Sequence, residues 1–180
     1  MTDTIEQYNK ITDICSKLFF TKFKDYGTAW RILRSPSVTD QIYIKAERIR
    51  SIETKGISKI DDNIRYEFIG IVNYSIIGLI QLELGSSEDI NLPIKETENL
   101  YNKFLEEGKN LMLNKNHDYD EAWRSMRMNS YTDLILMKLF RTKQIEDNMG
   151  KTIISEGISA NYLDIINYAI FALIKIEFEN

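Results

Sequence analysis

The chain has 180 residues, 28% charged and 43% apolar, with only two prolines. That is a globular composition, long enough to bury a hydrophobic core without disulfide or metal staples. A formal net charge of −4 argues against broad binding to nucleic acid, which rests on Lys and Arg neutralising many phosphates. The one cysteine, Cys15, excludes an intramolecular disulfide and fits a cytoplasmic location.

The opening MTDTIEQYNK has no basic start followed by an apolar core, so no secretory signal is expected. A first helix is predicted from about Ile5 to Lys24, with Cys15 as a small buried apolar residue. A short helix carrying Trp30 follows, with Asp25 placed to cap it. The third opens at Ser37-x-x-Asp40, which resembles a capping box, and ends near Glu53, ahead of Gly56. The fourth is long and apolar, about Asp62 to Leu84. Its most apolar run, Phe68 to Leu82, is fifteen residues interrupted by Asn73 and Gln81. A membrane span needs about 20 apolar residues, so none is expected. Isoleucine content makes strand an alternative here, but strands usually stop at about ten residues, and length argues for helix. A polar linker, residues 85–94, contains Gly85 and Pro93. The four elements then recur: a helix from Lys95 to Lys115, a short one with Trp123 behind Asp118, a third from Ser130-x-x-Asp133 to Glu146 ahead of Gly150, and a last from Ser155 to Phe178.

The recurrence is literal. Sliding the chain on itself by 93 positions superposes Tyr8-Asn9-Lys10 on Tyr101-Asn102-Lys103, Asp25-Tyr26 on Asp118-Tyr119 and Ala29-Trp30-Arg31 on Ala122-Trp123-Arg124. Residues 5 to 53 show 19 identities in 49 positions. After a one-residue insertion the offset is 94, and Asn73-Tyr74 meets Asn167-Tyr168. A stacked array generally needs three or more repeats, so two copies predict a pseudo-twofold arrangement. The expected fold is all-α: two tandem four-helix units, 5–84 and 95–180, packed as one helical bundle with the fourth helices central.

The retained polar residues are the functional candidates. At about 100° per residue, Lys45 and Arg48 share the arc of Ile42 and Ile52, and Lys138 and Arg141 share that of Ile135 and Ile145. A cation on a core-facing arc is costly unless it snorkels out or meets an anion. On the last helix Glu156, Asp164 and Asn167 lie within about 80° of one another, a face able to hold a divalent cation or to pair with Lys138 and Arg141. The first unit has Asp62, Gly70 and Asn73 at those positions, which places any metal function in the second unit. Trp30 and Trp123 are expected as core anchors, with base stacking as the other role. Asn73 and Asn167, set among apolar neighbours, must find hydrogen-bond partners in a neighbouring helix or a ligand. His117 is the only histidine, and no partners for a catalytic triad accompany it.

The string Asp-Tyr-x-x-Ala-Trp-Arg, then Lys-x-x-Arg, then Glu-x7-Asp-x2-Asn-Tyr-Ala-Ile resembles the nucleotide modification associated domain family, first type. The resemblance runs over nearly the whole chain, once per unit. The second unit carries Asp118, Tyr119, Trp123, Lys138, Arg141, Glu156, Asp164, Asn167, Tyr168 and Ala169. The first keeps Asp25, Tyr26, Trp30, Lys45, Arg48, Asn73 and Tyr74 but departs at Asp62 and Gly70. The last helix is also distantly similar to the acidic helix of the all-α nucleoside-triphosphate pyrophosphatases, which bind magnesium through carboxylates of two helices. Here a Lys-x-x-Arg pair stands where the second acidic pair would be, and it suits phosphate instead.

These resemblances imply a nucleotide-binding protein, with a Mg2+-dependent nucleoside-triphosphate pyrophosphohydrolase as the enzymatic form of that reading. Lys138, Arg141, Lys45 and Arg48 would bind phosphate, Glu156 and Asp164 would hold the metal, and Asp25, Asp118, Asn73, Asn167, Trp30 and Trp123 would complete the pockets. The expected partner is a nucleotide or other phosphorylated small molecule, with a homo-oligomer compatible with it. The alternative is a non-catalytic helical module for a small molecule or a protein, its charges serving as internal pairs.

Overall fold

The computed structural model describes residues 2–56, 64–151 and 156–179. The expected helix starts at Asp62 and Ser155 lie outside the described residues. Helix α1 is Thr2–Tyr26, followed by a short 3-10 helix Ala29–Ile32, α2 Ser35–Lys55 and α3 Ile64–Leu84. The series repeats as α4 Ile94–Tyr119, a 3-10 helix Ala122–Ser125, α5 Met128–Asp147 and α6 Ile158–Phe178. No strand occurs among the described residues, so the all-α expectation holds.

Helices α3 and α6 lie at the centre against each other, with α2 on α3, α5 on α6, and α2 also against α5. The outer helices α1 and α4 each touch both central ones. A helix apolar on every side is one surrounded by protein, and α3 buries Phe68, Ile71, Val72, Ile76 and Ile80 completely. By length and composition α3 could cross a membrane, being longer than its fifteen-residue apolar run, but most of it is buried between other helices.

The halves exchange the same contacts in both directions. The Tyr8 hydroxyl donates to Asn167 Oδ1 at 2.9 Å, and the Tyr101 hydroxyl donates to Asn73 Oδ1 at 2.7 Å. Each asparagine also donates to the backbone of an outer helix, Asn73 to Cys15 O and Asn167 to Gly108 O. Thr39 donates to Glu146 and Thr132 to Glu53. Asp40 pairs with Lys143, and Asp133 stands 4.0 Å from Arg50. Residue i meeting j while the equivalent of j meets the equivalent of i is the signature of a twofold relation. Asn73 and Asn167 therefore hold helices together.

These exchanges correct the expected caps. Helices α2 and α5 begin at Ser35 and Met128, with Arg34 and Arg127 as caps that make no side-chain cap bond. In α2 the fixed φ of Pro36 supports the first turn. Asp40 and Asp133 are spent on ion pairs between α2 and α5. Asp25 and Asp118 lie inside the last turns of α1 and α4, exposed, and cap nothing; Thr28 and Glu121 precede the 3-10 helices, without side-chain cap bonds. Gly56 ends α2 as expected, in the left-handed region at φ 65°, its N–H bonded to Ile52 O. Cys15 is fully buried, and burial pushes its thiol up to about 12.

Candidate functional site

The inward arc of α2 aims Lys45 and Arg48 at α3, where both meet Glu67. Arg48 bonds one carboxylate oxygen, and Lys45 Nζ stands 3.5 Å from the other. In the second unit Lys138 Nζ reaches Asp164 Oδ2 at 2.7 Å, and Lys115 of α4 reaches Oδ1 at 2.6 Å. Burial alone would raise the Asp164 carboxyl, but the hydrogen bonds and charges of Lys115 and Lys138 outweigh it and hold it below the usual carboxylate range. Burial likewise opposes the Lys115 ammonium, yet Asp164, with Tyr168 and Glu156 behind it, keeps it above its ordinary value. Arg141 is half-buried on the same arc as Lys138, and Glu156 is exposed just ahead of α6.

Position 70 separates the two arrangements. A Cβ there would lie 2.8 Å from Lys45 Cε, so only glycine lets the Lys45 stem cross α3 this closely. Beside it opens a cavity of about 600 Å³ between α1, the first 3-10 helix, α2 and α3. Its walls are aromatic, with Phe19, Tyr26, Trp30, Tyr66 and Tyr74, and its polar members include Lys22, Lys45 and Glu67. The Lys45 ammonium lies 5.8 Å from the Tyr74 ring centre, within cation–π range.

Trp30 is held at the cavity by its backbone. Gln81 Nε2 donates to the carbonyls of Trp30, Arg31 and Leu33, and the buried Arg31 donates to Gln81 and to Gly85 O. The linker is fastened to the same segment, with Ser87 N bonded to Arg31 O and Leu92 N to Thr28 Oγ1. Trp30 stays half-buried as a result.

Trp123 behaves differently. It stacks parallel on Phe171 at 4.2 Å, with the Arg124 guanidinium 4.4 Å from the ring centre, and is 6% exposed. Phe171 matches Ile77, a cavity-wall residue of the first unit. Larger side chains thus stand in the second unit where the first is open. Trp123 is the expected core anchor; Trp30 is a wall.

Lys138 and Asp164 come together, but as a closed pair, while Asn167 is occupied by Tyr8 and Gly108. Both Asp164 oxygens are held by ammonium groups, and Glu156, the other residue expected to hold magnesium, lies exposed. No group of three His, Cys, Asp or Glu able to hold a metal occurs among the described residues. Asp62 lies outside them. Sequence reasoning missed Glu67 and Lys115. Both had a signal: Lys22 and Lys115 coincide in the 93-residue overlay, and Glu67 lies on the face of Gly70, three residues earlier.

A family profile described as nucleotide modification associated domain 1 matches residues 22–82 and 115–176, one segment per unit and more than half of the chain together. The chain belongs to this family. No curated protein and no solved structure matches it. The first matched segment starts at Lys22 and ends beyond Ile77, so it spans most of the cavity wall.

Proposed function

We propose that the protein binds a nucleotide in the cavity of the first unit. The observation that carries this reading is one wall joining stacking surfaces to a loosely held cation: Trp30, Tyr66 and Tyr74 beside Lys45, whose only ion pair among the described residues is the 3.5 Å approach to Glu67. Aromatic faces suit a planar base, since stacking is worth about 1–3 kcal/mol per base. An ammonium on a flexible stem suits phosphate. The family's association with nucleotide modification agrees with this ligand class. The reading is one of binding; pyrophosphate hydrolysis with magnesium would need carboxylate donors beyond Glu67, the one carboxylate lining the cavity among the described residues.

Titration calorimetry with nucleoside mono-, di- and triphosphates, with and without magnesium, tests it. The parent should bind, and Trp30→Leu and Lys45→Met should each weaken binding by about tenfold or more. Equal affinity without magnesium is expected. Absence of binding at millimolar nucleotide would overturn the reading.

A second reading, a module that binds a protein, draws on exposed Ile44, Met137 and Phe140 on α2 and α5, where Ile44 and Met137 occupy matching positions. It predicts self-association or partner binding that Ile44→Lys abolishes with nucleotide affinity unchanged.

A further inference from the structure

We infer that a phosphate oxyanion of the ligand sits between Lys22 and Lys45, in the role that the Asp164 carboxylate plays for Lys115 and Lys138. This rests on the nucleotide reading of the cavity and adds to it the place of the charged group.

The duplication supplies the argument. Lys22 matches Lys115, Lys45 matches Lys138, and Gly70 matches Asp164. In the second unit the two lysines converge on one carboxylate at 2.6 and 2.7 Å, a fully matched anion site built by the chain itself. In the first unit the same lysines line the cavity, and the residue that would supply the carboxylate has no side chain. Lys22 meets no carboxylate among the described residues. Among the described residues the only ion pair of Lys45 is the long contact to Glu67, whose other oxygen belongs to Arg48. Lys22 is exposed at the cavity rim and Lys45 half-buried; an ammonium partly withdrawn from water without a close anion, as at Lys45, is costly, and a bound oxyanion would relieve that cost. The ring of Tyr74, within cation–π range of Lys45, leaves the base the side of the cavity lined by Phe19 and Trp30. The second unit is then an internally plugged copy of the site, with carboxylate in place of phosphate.

Inserting the plug tests the inference. Gly70→Asp restores the carboxylate that the second unit has, and the atoms its Cβ meets belong to the flexible end of Lys45, which can move aside. Gly70→Asn has the same shape without the charge. Calorimetry would use a nucleoside, its triphosphate and inorganic pyrophosphate. Gly70→Asp should weaken triphosphate and pyrophosphate by about tenfold more than Gly70→Asn does, with no loss of melting temperature. Should Gly70→Asp fold poorly, Lys22→Met and Lys45→Met report on the same subsite, and each should weaken both anions. In the converse experiment, Asp164→Gly unplugs the second pair, and inorganic phosphate should raise the melting temperature of that variant more than that of the parent.

Two outcomes separate the claims. If pyrophosphate binds and is lost in Gly70→Asp while the triphosphate binds no tighter than pyrophosphate, the anion site stands and the nucleotide reading falls. If the nucleoside binds as tightly as its triphosphate, and Gly70→Asp and Gly70→Asn behave alike, base stacking in the cavity stands, while the anion site and the phosphate role of Lys45 are overturned.

Discussion

The two units build one framework and part company where a central helix faces the α2 or α5 lysine. In the second, Asp164 draws Lys115 and Lys138 together, and Phe171 draws Trp123 into a stack. In the first, Gly70 and Ile77 leave space, Trp30 stays half-buried, and Glu67 supplies a carboxylate at another place along the same helix face. A duplicated fold can hold its shape through one copy and keep the other open, because a filled, paired site contributes packing that an open one gives up. Mutation of matched positions should therefore have unequal effects wherever the units diverge and equal effects wherever they exchange contacts.

The largest inequality is expected at the charged pair. Asp164→Ala strands the buried Lys138 and should cost about 3–5 kcal/mol in urea unfolding, while Gly70→Ala at the matching position should cost far less. A small loss at Asp164 would show that the pair is not the anchor of the second unit. Next come the tryptophans: Trp123→Ala should cost about 3–5 kcal/mol, and the half-exposed Trp30→Ala no more than about 2 kcal/mol. Equal costs would break the distinction between anchor and wall.

The exchanged tyrosines should behave alike. Tyr8→Phe and Tyr101→Phe each remove one buried donor from an asparagine and should each cost about 1–3 kcal/mol. A cost confined to one of them would contradict the twofold exchange.

The smallest effect is the pH dependence, and its sign differs between carboxylates. Asp164 is held below its ordinary value, so its contribution is present above about pH 4 and is lost as pH falls through the depressed value. Burial raises Glu146 more than its bonds from Thr39 and Ser35 lower it. Its contribution is present below about pH 4 and is lost as pH rises through the raised value. Chemical unfolding followed from pH 6 to pH 3 should show a shallower acid loss for Asp164→Asn than for the parent, and a steeper one for Glu146→Gln.

Much of this was legible in the residues. The overlay of Tyr8 on Tyr101 and Asn73 on Asn167 announced the duplication, and the shared arc of Lys45 and Ile42 required an anion opposite. The identity of that anion was legible only for Asp164. Glu67 left no trace in the overlay because it has no counterpart: its match is Asn161, and comparing the halves finds only what both kept, so its place on the face of Gly70 was the one signal. The caps failed for a different reason. Ser37-x-x-Asp40 satisfies a local pattern, but α2 starts earlier, at Ser35, so both residues lie inside the helix, where Asp40 pairs with Lys143 of the other unit.

By itself the sequence determined the helices, their duplication and the candidate side chains, because periodicity and identity are properties of the chain order. Only the tertiary structure decided which copy is open. That depends on volume at Gly70 and Ile77 against Asp164 and Phe171, and a side chain's volume opens or fills a site only once its neighbours from other helices are in place.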